Sequence, residues 1–142
     1  MGKVILVLLL FLMITQPAMA EATTCKNHPE IVASCYETRG RISFHWAGPP
    51  TTVMWKIGTK RILGLAKKLG KDEFIGPKVV ENNSGVNIYV FGNFTVCPFT
   101  KDKPGFMQFV CIQKAENLRI ENYQKDSKNP KITYLKGPFE LE

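Results

Sequence analysis

The chain is 142 residues long, carries 19 Lys and Arg against 12 Asp and Glu, and has a formal net charge of +7 at pH 7. That length holds one domain with a modest core, and the excess of cations directs attention to anionic partners. Two histidines, four cysteines without a Cys-x-x-Cys spacing, and no phosphate-loop, dinucleotide or EF-hand pattern argue against a metal or other cofactor.

Residues 1–20 read as a secretory signal peptide, with Lys3 as the charged start, Val4–Ile14 as the apolar run and Ala18-Met19-Ala20 as the cleavage site. Val4–Ile14 is too short to cross a bilayer, which needs about 20 residues. Cleavage leaves 122 residues with a formal charge of +6, periplasmic or secreted and not membrane-spanning. Cys25, Cys35, Cys97 and Cys111 all fall in this exported part, and an even count in an oxidising compartment reads as two disulfides. Three connectivities are open. Closeness in sequence favours Cys25 with Cys35, and a hairpin between Cys97 and Cys111 favours joining those two.

The exported part divides into a single β domain, residues 21–123, and a polar C-terminal tail, residues 124–142, in which Ile132–Leu135 is available as an edge strand. Glu21–Ser34 shows no period. From Arg39 to Trp46 the alternation is strict: Gly40, Ile42, Phe44 and Trp46 point one way, and Arg39, Arg41, Ser43 and His45 the other, as in a half-buried strand. Ala47-Gly48-Pro49-Pro50 ends it. The runs 51–57 and 60–66 then flank Gly58-Thr59, which suits a two-residue type II′ hairpin. Such a loop sets Lys56 opposite Arg61, Trp55 opposite Ile62, Met54 opposite Leu63 and Val53 opposite Gly64. Lys56 facing Arg61 brings like charges within about 5 Å, which calls for water, a nearby carboxylate or a bound anion.

Ala66–Asp72 reads as a basic loop, Lys78–Val80 as a short strand and Glu81–Gly85 as a turn. Val86–Phe99 is the most apolar strand, with Val86, Ile88, Val90, Phe94 and Val96 on one face, Tyr89 and Phe91 on the other, and Gly92 where a bulge or bend is useful. After the Thr100–Gly105 turn, Phe106–Gln113 and Leu118–Tyr123 are two further strands. Short strands separated by Gly, Pro and Asn turns indicate an all-β fold, a small antiparallel barrel or sandwich of five to seven strands stapled by disulfides.

The chain offers little for catalysis. His45 has Ser43 on its own face but no acid to orient it, the carboxylates are scattered, and the disulfides use every thiol, so the expectation is a protein that is not an enzyme. Placing Trp55 and Ile62 in a core with Ile42, Phe44 and Trp46 puts Arg39, Arg41, Lys56 and Arg61 on the outer face of one meander as a candidate anion patch. The expected role is binding of an anionic envelope component, such as phosphorylated lipid, acidic glycan or an acidic protein, with no specific nucleic acid. The alternatives are an inhibitor of a secreted or periplasmic enzyme, acting through Ala47–Thr51 or Thr100–Gly105, and a structural accessory protein without a ligand.

Through Arg39-Gly40-Arg41-Ile42-Ser43, Trp55-Lys56-Ile57-Gly58-Thr59-Lys60-Arg61-Ile62-Leu63-Gly64, Phe94-Thr95-Val96-Cys97-Pro98-Phe99 and Met107-Gln108-Phe109-Val110-Cys111, the sequence resembles small exported bacterial β-rich proteins of unassigned activity. The resemblance spans about residues 35–120 and implies an envelope or secreted location. Ser84-Gly85 with Tyr89, and Lys136-Gly137, are similar to the signatures of periplasmic lysozyme inhibitors, which are small disulfide-bonded β-barrels. Tyr89 lies one residue further along than in that signature, and a charge of +6 opposes association with basic lysozymes.

Overall fold

A computed structural model describes residues 24–45, 51–66, 74–124 and 127–141. The predicted signal peptide, Trp46, the loop residues Ala47–Pro50 and residues 67–72 of the basic loop lie outside the described residues. Strands β1 (Tyr36–His45), β2 (Thr51–Lys56) and β3 (Ile62–Gly64) form an antiparallel meander. A one-turn helix, α1 (Lys78–Asn82), comes next, and β4 (Ile88–Pro98) then returns beside β1. The spatial order β4-β1-β2-β3 is that of a Greek key.

Strand β5 (Gln108–Asn122) runs antiparallel along β4, and at its start it pairs in parallel with β3 through Leu63↔Gln108 and Gly64↔Phe109. That contact closes β1-β2-β3-β5-β4 into a five-stranded Greek-key barrel, the class that includes the OB-fold. Further along the same edge of β5 come β7 (Phe139–Glu140), paired at Lys114 and Ala115, and β6 (Lys131–Leu135), paired at Leu118–Asn122. The all-β expectation holds, with seven strands among the described residues in one ring-like sheet.

The core follows from the alternation along β1, β4 and β5. Ile42, Val90, Phe94, Val96, Val110 and Ile112 point inward and are fully buried, with Met54 from β2 and Leu63 from β3. Burying each such side chain stabilises the fold by about 1.5–3 kcal/mol. Here one expectation is overturned: Met54 and Leu63 fill the core, while Trp55 and Ile62 are exposed. Residues directly opposite in an antiparallel pair share a face. Ile42 is opposite Met54 and Arg41 opposite Trp55, so the inward side of β2 is fixed by its register with β1.

The hairpin register is as expected, but its loop is not. The Lys56 amide donates to the Arg61 carbonyl and the Thr59 amide to the Lys56 carbonyl, so the turn is centred on Ile57-Gly58 and the loop holds four residues. Gly58 takes a φ of 83°, the left-handed region that glycine enters at no steric cost. Widening a two-residue loop by one residue on each side leaves the strand register unchanged, which is why the pairs beyond it survive.

Three other elements differ. Lys78–Val80 belongs to α1 and not to a strand. The Pro77 carbonyl accepts from the Val80 and Glu81 amides at its start, and Asn83 Nδ2 and Ser84 Oγ donate to the Val79 and Val80 carbonyls at its end. Val86 is exposed outside β4, and the two strands expected at 106–113 and 118–123 are one continuous β5. Two register shifts interrupt the β4–β5 pairing: between Phe91↔Arg119 and Asn93↔Glu116 the single Gly92 of β4 faces Asn117 and Leu118 of β5, and a second shift leaves Gln113 as an extra residue. Gly92 faces the first, where a Cβ would lie 2.6 Å from Leu118 Cδ2 and 3.1 Å from the Glu116 carbonyl oxygen.

Both disulfide pairings are also corrected: Cys25 bonds Cys111 and Cys35 bonds Cys97. Cys97 and Cys111 are indeed opposite one another on β4 and β5, and both project outside the barrel. Cys35 continues the β1–β4 register by one step beyond Tyr36↔Val96 and so meets Cys97, with 4.1 Å between Cα atoms. The segment from Cys25 to Ile31 then lies over the same outer surface. It forms a second small cluster with Phe99 and Phe109, and the Val32 amide donates to the Pro98 carbonyl. Two disulfides are the signature of an oxidising, extracellular or periplasmic environment. Among the described residues no helix is long and apolar enough to cross a membrane.

Candidate functional site

Reading the pairings outward from β3 gives one cross-strand row on the outer face: Ile62, Trp55, Arg41, Phe91, Arg119 and Tyr134, each directly opposite the next. Rings and guanidinium groups alternate along it. Arg41 Cζ lies 5.0 Å from the Trp55 ring centre and 5.4 Å from that of Tyr89, and Arg119 Cζ lies 4.4 Å from that of Phe91. The weakly hydrated guanidinium plane suits such stacking, each contact contributing about 0.5–1 kcal/mol where exposed. The Trp55 indole is fixed by its own hairpin, Nε1 donating to the Thr59 carbonyl at 2.7 Å.

Charge compensation along the row is uneven. Arg119 pairs with Glu121 at 3.0 Å, Lys114 with Glu116 at 3.3 Å, and the Tyr123 hydroxyl donates to Glu121 at 3.3 Å. Among the described residues no carboxylate pairs with Arg39 or Arg41. The Nε atoms of Arg41 and Arg119 are covered and lack a hydrogen-bond acceptor. An unmet buried donor costs about 1–3 kcal/mol. The fold thus retains a stacked cation, Arg41, at a cost that no internal ion pair offsets.

Where Gly92 faces the irregular part of β5, the surface sinks into a depression of about 280 Å³ lined by Arg39, Phe91, Gly92, Asn93, Asn117 and Arg119. A neighbouring hollow of about 260 Å³ shares Arg39 and Asn93 and adds Glu37, Thr95 and Glu116. A larger cleft of about 540 Å³ lies between Gly76–Val79 and Pro138–Leu141, but Lys78 and Glu140 bring it one charge of each sign. Arg39 and Arg119 line the first depression, and Arg41 stands beside it, opposite Phe91, on the β1–β4–β5 face.

The four predicted patch residues are divided between two places. Arg39 and Arg41 lie on this outer face. Lys56 and Arg61 stand on the side of the sheet that carries Tyr36 and Met54, at one end of the barrel. Lys56 Nζ sits 4.9 Å from the Tyr36 ring centre, and Arg61 pairs with Asp102 and donates to the Lys103 carbonyl. The like-charge pair is thereby relieved by a carboxylate from the β4–β5 loop and a ring face. In the same place the Tyr36 hydroxyl donates to Gln108 Oε1 at 2.9 Å, and Gln108 Nε2 to the Thr100 carbonyl. Burial raises the Tyr36 pKa above its ordinary value, with Arg61 opposing.

Sequence reasoning missed Arg119, Asn93, Phe91 and Tyr134 as members of the face. The outward alternation of Arg119, Glu121 and Tyr123 was visible, but the register shifts that bring Arg119 opposite Phe91 were not. Among the described residues no three His, Cys, Asp or Glu side chains converge as metal ligands would. Comparison with protein-family models, with curated proteins and with solved structures finds no match.

Proposed function

We propose that this is an exported, non-enzymatic binding protein that holds an anionic envelope component, an acidic saccharide, on the outer face built from Arg39, Arg41 and Arg119 with Trp55, Phe91 and Asn93. The observation that carries this reading is Arg41, stacked between two rings and paired with no carboxylate among the described residues. A planar guanidinium fork matches a carboxylate in bidentate fashion. The exposed Trp55 ring offers a flat apolar surface to the C–H face of a pyranose, and Asn93 supplies amide donors and acceptors for hydroxyls. A five-stranded Greek-key barrel by itself assigns no ligand, so the reading rests on this face alone.

The test uses tetragalacturonate as probe, with Trp55 fluorescence as signal in a Trp46→Phe background. Binding should weaken steeply as salt rises. Arg41→Gln should lose about tenfold or more in affinity, as expected for charge-assisted hydrogen bonds. Equal affinity of Arg41→Gln and its parent would remove the face from consideration.

A further inference from the structure

We infer that the β2–β3 hairpin and the β4–β5 loop together form a tip that docks on the surface of an anionic lipid bilayer. This goes beyond the saccharide reading and does not depend on it. Arg61 joins the two segments through its pair with Asp102 and its bond to the Lys103 carbonyl. Residues 101–107 are all exposed, and Phe106, just beyond the turn closed by its own amide to the Lys103 carbonyl, is 71% exposed. Met107 reaches over Gly64: its sulfur is 3.0 Å from where a Cβ would stand there, next to the exposed Ile62 on the same face of β3. Trp55 is opposite Ile62. Phe106, Met107, Ile62 and Trp55 thus present apolar surface at one end of the molecule, larger than the single scattered side chains that surfaces normally show.

The charges around these side chains name the partner. Lys60, Lys101 and Lys103 are exposed, and the single carboxylate within 57–62 and 100–107, Asp102, is taken by Arg61. Apolar side chains at a loop tip ringed by lysines match both layers of a bilayer surface: the rings enter the acyl boundary, and the ammonium groups meet anionic headgroups while their stems lie along the apolar surface. An acidic protein would satisfy the lysines but would need an apolar pocket shaped for Phe106, whereas a bilayer accepts an apolar ring without shape complementarity.

The test is co-sedimentation of the disulfide-bonded protein with vesicles of phosphatidylglycerol and phosphatidylcholine, and with phosphatidylcholine alone. The expected result is binding to the mixed vesicles at least tenfold tighter than to the neutral ones. Phe106→Ser/Met107→Ser should lose about tenfold on the mixed vesicles, Lys101→Gln/Lys103→Gln should lower both affinity and salt dependence, and Arg41→Gln should bind them like the parent. The side chains changed are exposed, and equal melting temperatures check that the variants fold. Absence of binding, equal binding to both vesicle types, or an unchanged Phe106→Ser/Met107→Ser variant would overturn the proposal. A loss in Arg41→Gln as large as in the tip variants would also overturn it, by moving the contact to the sheet face.

Discussion

Single residues carry the chemistry of this protein through what faces them. Arg41 and Arg61 illustrate two outcomes for a cation on a sheet. Arg61 finds Asp102, whereas Arg41 finds the Trp55 and Tyr89 rings and pairs with no carboxylate among the described residues. Tyr36 supplies a pH-dependent test of the barrel end. Its hydroxyl is half-buried and donates to Gln108, and burial raises its pKa above the ordinary phenol value. A raised pKa for a group that is neutral when protonated means that its stabilising contribution is complete below the unfolded value, about 10, and is lost as the pH climbs through the folded value. Denaturation midpoints should therefore fall above about pH 10. Tyr36→Phe should lose about 0.5–1.5 kcal/mol at neutral pH, the worth of one hydrogen bond, and show a shallower alkaline decline. An identical alkaline slope in the variant would show that Tyr36 is not the group responsible.

Elements take their places here by long-range pairing more than by local preference. Residues after Tyr123 read as a polar tail, yet Ile132–Leu135, available as an edge strand, lies in β6, β6 and β7 pair along β5, and Leu135 and Phe139 pack against the main core. A chain ending at Tyr123 should lose about 2–4 kcal/mol of stability by urea denaturation, given two partly buried side chains against about 1.5–3 kcal/mol for full burial. An unchanged midpoint would show that β6 and β7 add nothing to the stability of the barrel. The case also marks what was legible in the sequence. Alternation over Arg39–His45 and over Val90–Val96 identified two strands and their inward faces, and the hairpin pairs from Trp55↔Ile62 to Val53↔Gly64 followed from an even-numbered loop. Which face of β2 turned inward was not legible, because Met54 and Trp55 are both large and apolar and only pairing with Ile42 and Arg41 separates them. Nor was the single long β5, since its register shifts interrupt the alternation on which strand reading depends. The disulfides were hidden for the same reason: Cys35 meets Cys97 through the β1–β4 register, not through nearness in sequence.

For the molecule as a whole, barrel closure decides what remains on the surface. Joining β3 to β5 uses up inner faces and edges, so that the outer row from Ile62 to Tyr134 and the tip around Phe106, which meet at Ile62 and Trp55, are left as surfaces where exposed rings and cations coincide. The two disulfides join cysteines separated by 86 and 62 positions in sequence, and they fasten the amino-terminal segment to the outside of β4 and β5. We propose that the outer row holds an acidic saccharide. The most direct test is amide chemical-shift mapping of the disulfide-bonded protein titrated with tetragalacturonate. Saturable shifts should cluster at Arg39, Arg41, Trp55, Phe91, Asn93 and Arg119. Shifts confined to residues 57–61 and 101–107, or no saturable shift at all, would contradict it.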